Sequence, residues 1–148
     1  MKLRVEGDER VIRTLTSAEL IAEPVTEALR VIARDGQQVA QRGAPGSVGR
    51  TLQSEVRGFS AQVYSTHPAA LPIEVGRRRG APLPPLGAIA RWAASRGITV
   101  EPFVLARSIA QRGIKGRFFL QAAREHIESR ANRYLVDLGA DIERRWHA

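Results

Sequence analysis

The stretch Ala61–Trp92, AQVYSTHPAALPIEVGRRRGAPLPPLGAIARW, decides how the rest of the chain is read. It opens as a strand: Ala61, Val63 and Ser65 fall on one side and Gln62 and Tyr64 on the other, the period-2 spacing of a pleated segment. Pro68 and Pro72 then punctuate it, and Ile73 and Val75 flank Glu74 before Gly76 ends the apolar signal. Thr66–Gly76 reads either as a third strand or as a proline-bent helical turn. Arg77, Arg78 and Arg79 follow, then Gly80 and the run Pro82-Leu83-Pro84-Pro85, and a helix opens at Leu86. A charged, proline-stiffened connection of this length is costly to order unless it docks on something, so residues 76–85 are expected to be a docking loop within a single domain spanning 1–148.

Working upstream, Thr51–Arg57 alternates, with Leu52 and Val56 opposite Gln53, Glu55 and Arg57, and Gly58 stands where a tight turn would join it to a strand over Phe59–Ser65. That predicts an antiparallel hairpin. Val25, Ala28, Leu29, Ile32, Ala33, Val39 and Ala40 form a helical stripe, with Pro24 in the first turn and stop signals at Arg42–Ser47. This helix is read as core. Lys2–Glu6 predicts a short strand, Asp8–Leu15 a short helix, and Thr16 and Glu19 stand at capping-box spacing.

Downstream, Leu86, Ile89, Ala90, Trp92 and Ala93 are the expected inner face of a helix that Gly97 stops. A second helix is expected over about Pro102–Arg112, burying Phe103, Val104 or Leu105, Ile109 and Ala110. Gly113 and Gly116 bracket a loop, Ile114-Lys115, that reads as flexible and basic. The last element is the longest: Phe119, Ala123, Ile127, Ala131, Leu135, Leu138, Ile142 and Trp146 trace a stripe over about seven helical turns, roughly 40 Å. Part of that stripe is expected to meet a neighbouring subunit. The fold class is therefore α+β: a small antiparallel hairpin packed by a long N-terminal helix, two short helices and a long C-terminal amphipathic helix.

The net charge of +8 on 148 residues is segregated. Arg77, Arg78, Arg79, Arg91, Arg96, Arg107, Arg112, Lys115 and Arg117 share their window with one acid, Glu101, so the whole excess lies there. A solvated surface is the plain explanation of a basic run; segregation this complete leans toward an acidic protein partner or a polyanion. With no cysteine there is no disulfide scaffold or thiolate chemistry. The N-terminal MKLRVEGDERVIR has no apolar signal-peptide region, and no run approaches the ~18–20 apolar residues of a bilayer span, so a soluble protein made in the cytoplasm is expected, with no membrane partner.

Chemistry finds little purchase. His67, His126 and His147 lie in different elements without ligand spacing, and there is no HExxH, GxSxG, P-loop or GxGxxG. Neither catalytic nor cofactor nor metal residues are assigned, and no enzyme is expected. His67, ahead of Pro68, reads as a turn residue. Glu74 beside the arginines is expected to form an exposed ion pair. Trp92 and Trp146 read as core or subunit-contact anchors. No helix-turn-helix, zinc-finger or basic-zipper pattern points to sequence-specific DNA reading, while contact with the phosphate backbone stays open.

The order strand, Glu74-Val75-Gly76-Arg77-Arg78, Pro84-Pro85, Ile89 and Trp92 resembles the neck and tail-completion minor proteins of long-tailed bacteriophages. So do Arg107–Phe119 and, upstream, Ala44-Pro45 followed by Gly49 and Leu52. One departure stands out: where that upstream loop usually carries a Thr-Gly pair, this chain has Val48-Gly49. The resemblance implies a structural virion protein forming a hexameric or dodecameric ring at the head–tail connector. Its partners would be other copies, head-closure or adaptor proteins and tail-terminator or tail-tube proteins, around the DNA exit channel. It also implies localisation to the virion neck, after assembly from the host cytoplasm. Glu74, Arg77–Arg79, Trp92, Arg112, Lys115, Arg117 and Trp146 are the candidate docking residues. The alternative is a small non-specific nucleic-acid-binding protein using the same basic window.

Overall fold

Helix α1, Glu23–Gly43, forms because Pro24 occupies its first turn, where a missing N–H costs nothing, and because small residues recur on one face. A π-helical turn, Ala18–Ala22, leads into it. The computed structural model describes residues 18–147, so the expected strand at Lys2–Glu6, helix at Asp8–Leu15 and capping pair begun at Thr16 lie outside the described residues. Ala33, Gly36 and Ala40 are buried, and the helix ends where expected, with the Ala44 N–H on the Ala40 carbonyl at 2.9 Å. A short helix, α2 (Gly46–Gly49), buries Val48.

Strands β1 (Leu52–Arg57) and β2 (Ser60–Ser65) form the expected hairpin, in register from Leu52↔Ser65 to Arg57↔Ser60. Phe59 belongs to the turn with Gly58 (φ 55°), one residue outside its expected strand, and is exposed. The hairpin lies on α1. Gln37 of that helix donates to the Leu52 carbonyl at 2.8 Å and accepts from the Ser54 hydroxyl at 2.6 Å. Between the two readings of Thr66–Gly76 the structure selects the helical one: α3 spans Ala70–Val75. His67 is a turn residue, its Nδ1 accepting the Ala69 N–H at 3.1 Å.

The Ile114-Lys115 segment is not the expected flexible loop. It is strand β4 (Ile114–Lys115), paired antiparallel with β3 (Gly76–Arg77). Glycine makes this bridge: a Cβ on Gly76 (φ 78°) would lie 2.4 Å from the Ile114 carbonyl oxygen, and one on Gly113 (φ 75°) 2.5 Å from that of Arg77. At such distances only a hydrogen atom fits. From this base projects a helical hairpin, α4 (Leu86–Ala94) and α5 (Pro102–Arg112), whose two helices pack chiefly on each other.

Helix α6, Phe119–His147, runs antiparallel to α1 and is its main packing partner. The core is Ala40, Val48, Leu52, Ala70, Phe119 and Ala123, with Val39, Val63, Ile73 and Leu120 packed around it. The arrangement is the α+β class expected: a small antiparallel hairpin, long N- and C-terminal helices and shorter helices between.

Two inner faces differ from expectation. On α4 and α5 the buried residues are Ala93 and Ala106, while Leu86, Trp92, Phe103 and Val104 are exposed. The α6 stripe also leaves the core partway. Steps of four residues advance about 400°, so a stripe stepping from Phe119 to Leu135 rotates by about 160°. Phe119 and Ala123 are buried, but Leu135 is 64% exposed and the α1 face passes to Tyr134. Both differences have one cause: apolar periodicity marks a helix face without stating how far a neighbour extends along it.

Candidate assembly surface

Glu74 is 9% exposed and forms no ion pair with the arginines that follow it in sequence. Its carboxylate instead crosses to the start of α6, where Oε2 accepts the Leu120 N–H and Oε1 the Gln121 N–H, both at 3.0 Å. The carbonyls of Ile73 and Glu74 accept the N–H groups of Arg117 (2.9 Å) and Phe118 (3.0 Å). Four N–H groups around the mouth of a long helix are thus satisfied from one turn of α3. A carboxylate there also complements the positive end of the helix dipole. The expected exposed ion pair is replaced by a buried cap, because the nearest unsatisfied donors are backbone groups brought up by β3–β4 pairing.

The arginines that follow lie around the bridge. Arg77 is half-buried in β3; its Nη2 donates to the Pro82 carbonyl at 2.6 Å, and its Nε is buried without a partner. Arg78 and Arg79 are exposed on a turn pinned by the Gly80 N–H to the Ala110 carbonyl, 2.8 Å. The 76–85 segment is therefore tied to α5 and β4, and its exposed part is the arginine turn. Arg112, Lys115 and Arg117 are exposed beside it, at the end of α5, in β4 and before α6. The base of the hairpin thus collects five exposed cations from two distant parts of the sequence.

Beyond the base, Trp92 is 42% exposed and Arg96 stacks 5.0 Å from its ring centroid. Val100, Phe103 and Val104 are exposed near the turn between the helices. Glu101 is committed locally, its Oε2 accepting from the N–H groups of Phe103 (2.9 Å) and Val104 (3.2 Å). Among the described residues, none of the nine cations from Arg77 to Arg117 makes an ion pair. Most of the described acids elsewhere are paired with arginines. Glu27 pairs with Arg30, Glu55 with Arg57 and Glu128 with Arg124. Asp137 pairs with Arg133, while Arg145 bridges Asp141 and Glu23.

Trp146, the remaining candidate, lies far from these residues along α6. Leu135 and Val136, about three turns before it on the same helix, are exposed as well. One constellation was not legible in the sequence. Asp35 Oδ2 receives His126 Nε2 at 3.1 Å, Arg130 Nη1 at 3.7 Å and the Tyr134 hydroxyl. The Tyr134 hydrogen bond, aided by His126 and Arg130 and opposed by burial, holds the Asp35 carboxyl below its ordinary range. Burial, together with the bond to Asp35, pushes the Tyr134 phenol up. His126, Arg130 and Tyr134 are successive i, i+4 neighbours, so their spacing put them on one face; nothing local placed Asp35 opposite, 91 residues earlier than His126.

Among the described residues no three His, Cys, Asp or Glu side chains gather as a metal site, and no helix is long and apolar enough to cross a membrane. No family model, curated protein or solved structure matches the chain.

Proposed function

We propose that this protein is a structural component of a bacteriophage neck, a ring at the head–tail connector that holds head-closure and tail proteins in register around the DNA exit channel. The observation that carries the reading is the α4–α5 hairpin, which leaves large apolar side chains exposed beside cations that have no acidic partner among the described residues. A surface of that composition is suited to being covered by protein. The motif order from Glu74 to Phe119 supports the same reading. A closed ring needs two different patches that fit each other. The side of α6 that exposes Leu135, Val136 and Trp146 is one of them, and the arginine turn at the base of the hairpin is the other. Native mass spectrometry of the purified chain, alone and with its partner rings, tests this. A closed oligomer in the assembled particle is expected; a chain that stays monomeric even there overturns the reading.

A second reading rests on the cations alone: non-specific binding to nucleic acid. The logarithm of duplex affinity would then fall by ~0.9 for each log unit of salt and each phosphate neutralised. Replacing Arg78 and Arg79 by Ser would weaken binding equally across sequences. If those substitutions stop particle assembly and leave DNA affinity unchanged, this second reading is out.

A further inference from the structure

We infer that the far end of the α4–α5 hairpin seats an acidic, apolar face of a different protein, not a second copy of this chain. This deepens the neck reading and rests on it. Strands β3 and β4 join the open ends of the hairpin, so the connection between the two helices is its remote end. The connection carries Arg96 and Val100, with Trp92 in the last turn of α4 and Phe103, Val104 and Arg107 in the first turns of α5; all six are exposed, Val104 by 54%. The hairpin does not cover these apolar groups itself: its buried residues are Ala93 and Ala106, with Ile89, Ile98, Leu105 and Ile109 half-buried. Small residues at the buried positions let two helices approach closely, while Trp92, Val100, Phe103 and Val104 stay outside.

Charge then selects the occupant. Arg96 and Arg107 have no acidic partner among the described residues, and the nearby carboxylate, Glu101, is committed to capping α5. A second copy offers little in return, since its described acids are mostly paired with its own arginines or cap its own helices. Exchanging one exposed ion pair for another gains almost nothing. DNA phosphates would satisfy the arginines but bury none of Val100, Phe103 and Val104. An acidic protein face with apolar side chains satisfies both requirements.

The test places a photo-reactive benzoylphenylalanine at Phe103 in the full chain, irradiates assembling particles and sequences the cross-linked segment by mass spectrometry. The expected product is a segment of another protein, net negative and apolar, with a yield about tenfold lower in the Arg96→Glu/Arg107→Glu variant or in high salt. Cross-links to this chain itself, to DNA, to lipid or to a neutral or basic segment overturn the inference, as does the absence of any cross-link in assembled particles. Thermal melting of the charge-reversed variant must match the wild type. Should it not, Val104→Ser takes its place, with the same loss of cross-link expected. Native mass spectrometry separates the two failures: a ring whose hairpin cross-links to its own copies sinks only this inference, whereas a wild-type chain that forms no ring sinks the neck reading.

Discussion

Glu74 combines a negative charge, burial and two backbone N–H partners, so its removal is felt by a helix that begins 45 residues further along the chain. Replacing it by Gln keeps the shape but turns an NH2 toward one of the N–H groups it served. A loss of about 1–2 kcal/mol in unfolding free energy is expected from urea titration, in the range of losing a helix cap. The Asp35 cluster makes a different kind of prediction. A folded-state pKa held below 3.8 contributes stability that is present above that value and lost as pH falls through the folded value. A Tyr134 phenol raised above 10.0 contributes stability present below that value and lost as pH rises through the folded one. Thermal melts should therefore weaken at both extremes, and Tyr134→Phe should flatten the alkaline decline while weakening the protein between them. An unchanged alkaline limb in that variant would contradict the account.

At the scale of elements, the β3–β4 bridge depends on close backbone approach. Gly113→Ala must both adopt φ 75° and move the Arg77 carbonyl, so a destabilisation of about 2 kcal/mol or more is expected in equilibrium unfolding. Gly139 is the opposite case. It sits in the middle of α6, where an added Cβ would meet nothing within 4 Å. Gly139→Ala is expected to stabilise the isolated chain by ~0.5–1 kcal/mol in the same measurement. If that variant also lowers ring formation, the exposed side of α6 is the contact between copies, because only a close neighbour gives a mid-helix glycine a use. The hairpin β1–β2 and helices α1, α4 and α5 were readable to within a residue or two, since alternation, prolines and glycines act locally. The pairing of Gly76–Arg77 with Ile114–Lys115 was not, because two-residue strands carry no periodic signal.

The whole molecule divides its charges by region. The α1–α6 pair and the β1–β2 hairpin hold most of their described acids in pairs with arginines, while the region from Arg77 to Arg117 holds nine cations and one acid, Glu101, that caps its own helix. Exposed pairs of this kind contribute little to stability individually, and salt is expected to leave the melting temperature of the isolated chain nearly unchanged. Association through the α4–α5 hairpin is expected to respond strongly to salt, measured as the yield of the complex with the partner protein across an ionic-strength series. Equal salt sensitivity of folding and association would contradict this division.

Composition and local pattern alone determined the α+β class, the ends of most helices and the segregation of the basic charge, because periodicity, capping and charge are properties of neighbours in sequence. Tertiary structure decided the rest. It turned Glu74 inward to cap α6, carried Leu135 off the α1 face, left Phe103 and Val104 exposed, and brought Asp35 to Tyr134. Each of these depends on which distant backbone or side chain arrives at a given face, and no window of sequence short enough to show a period contains both partners.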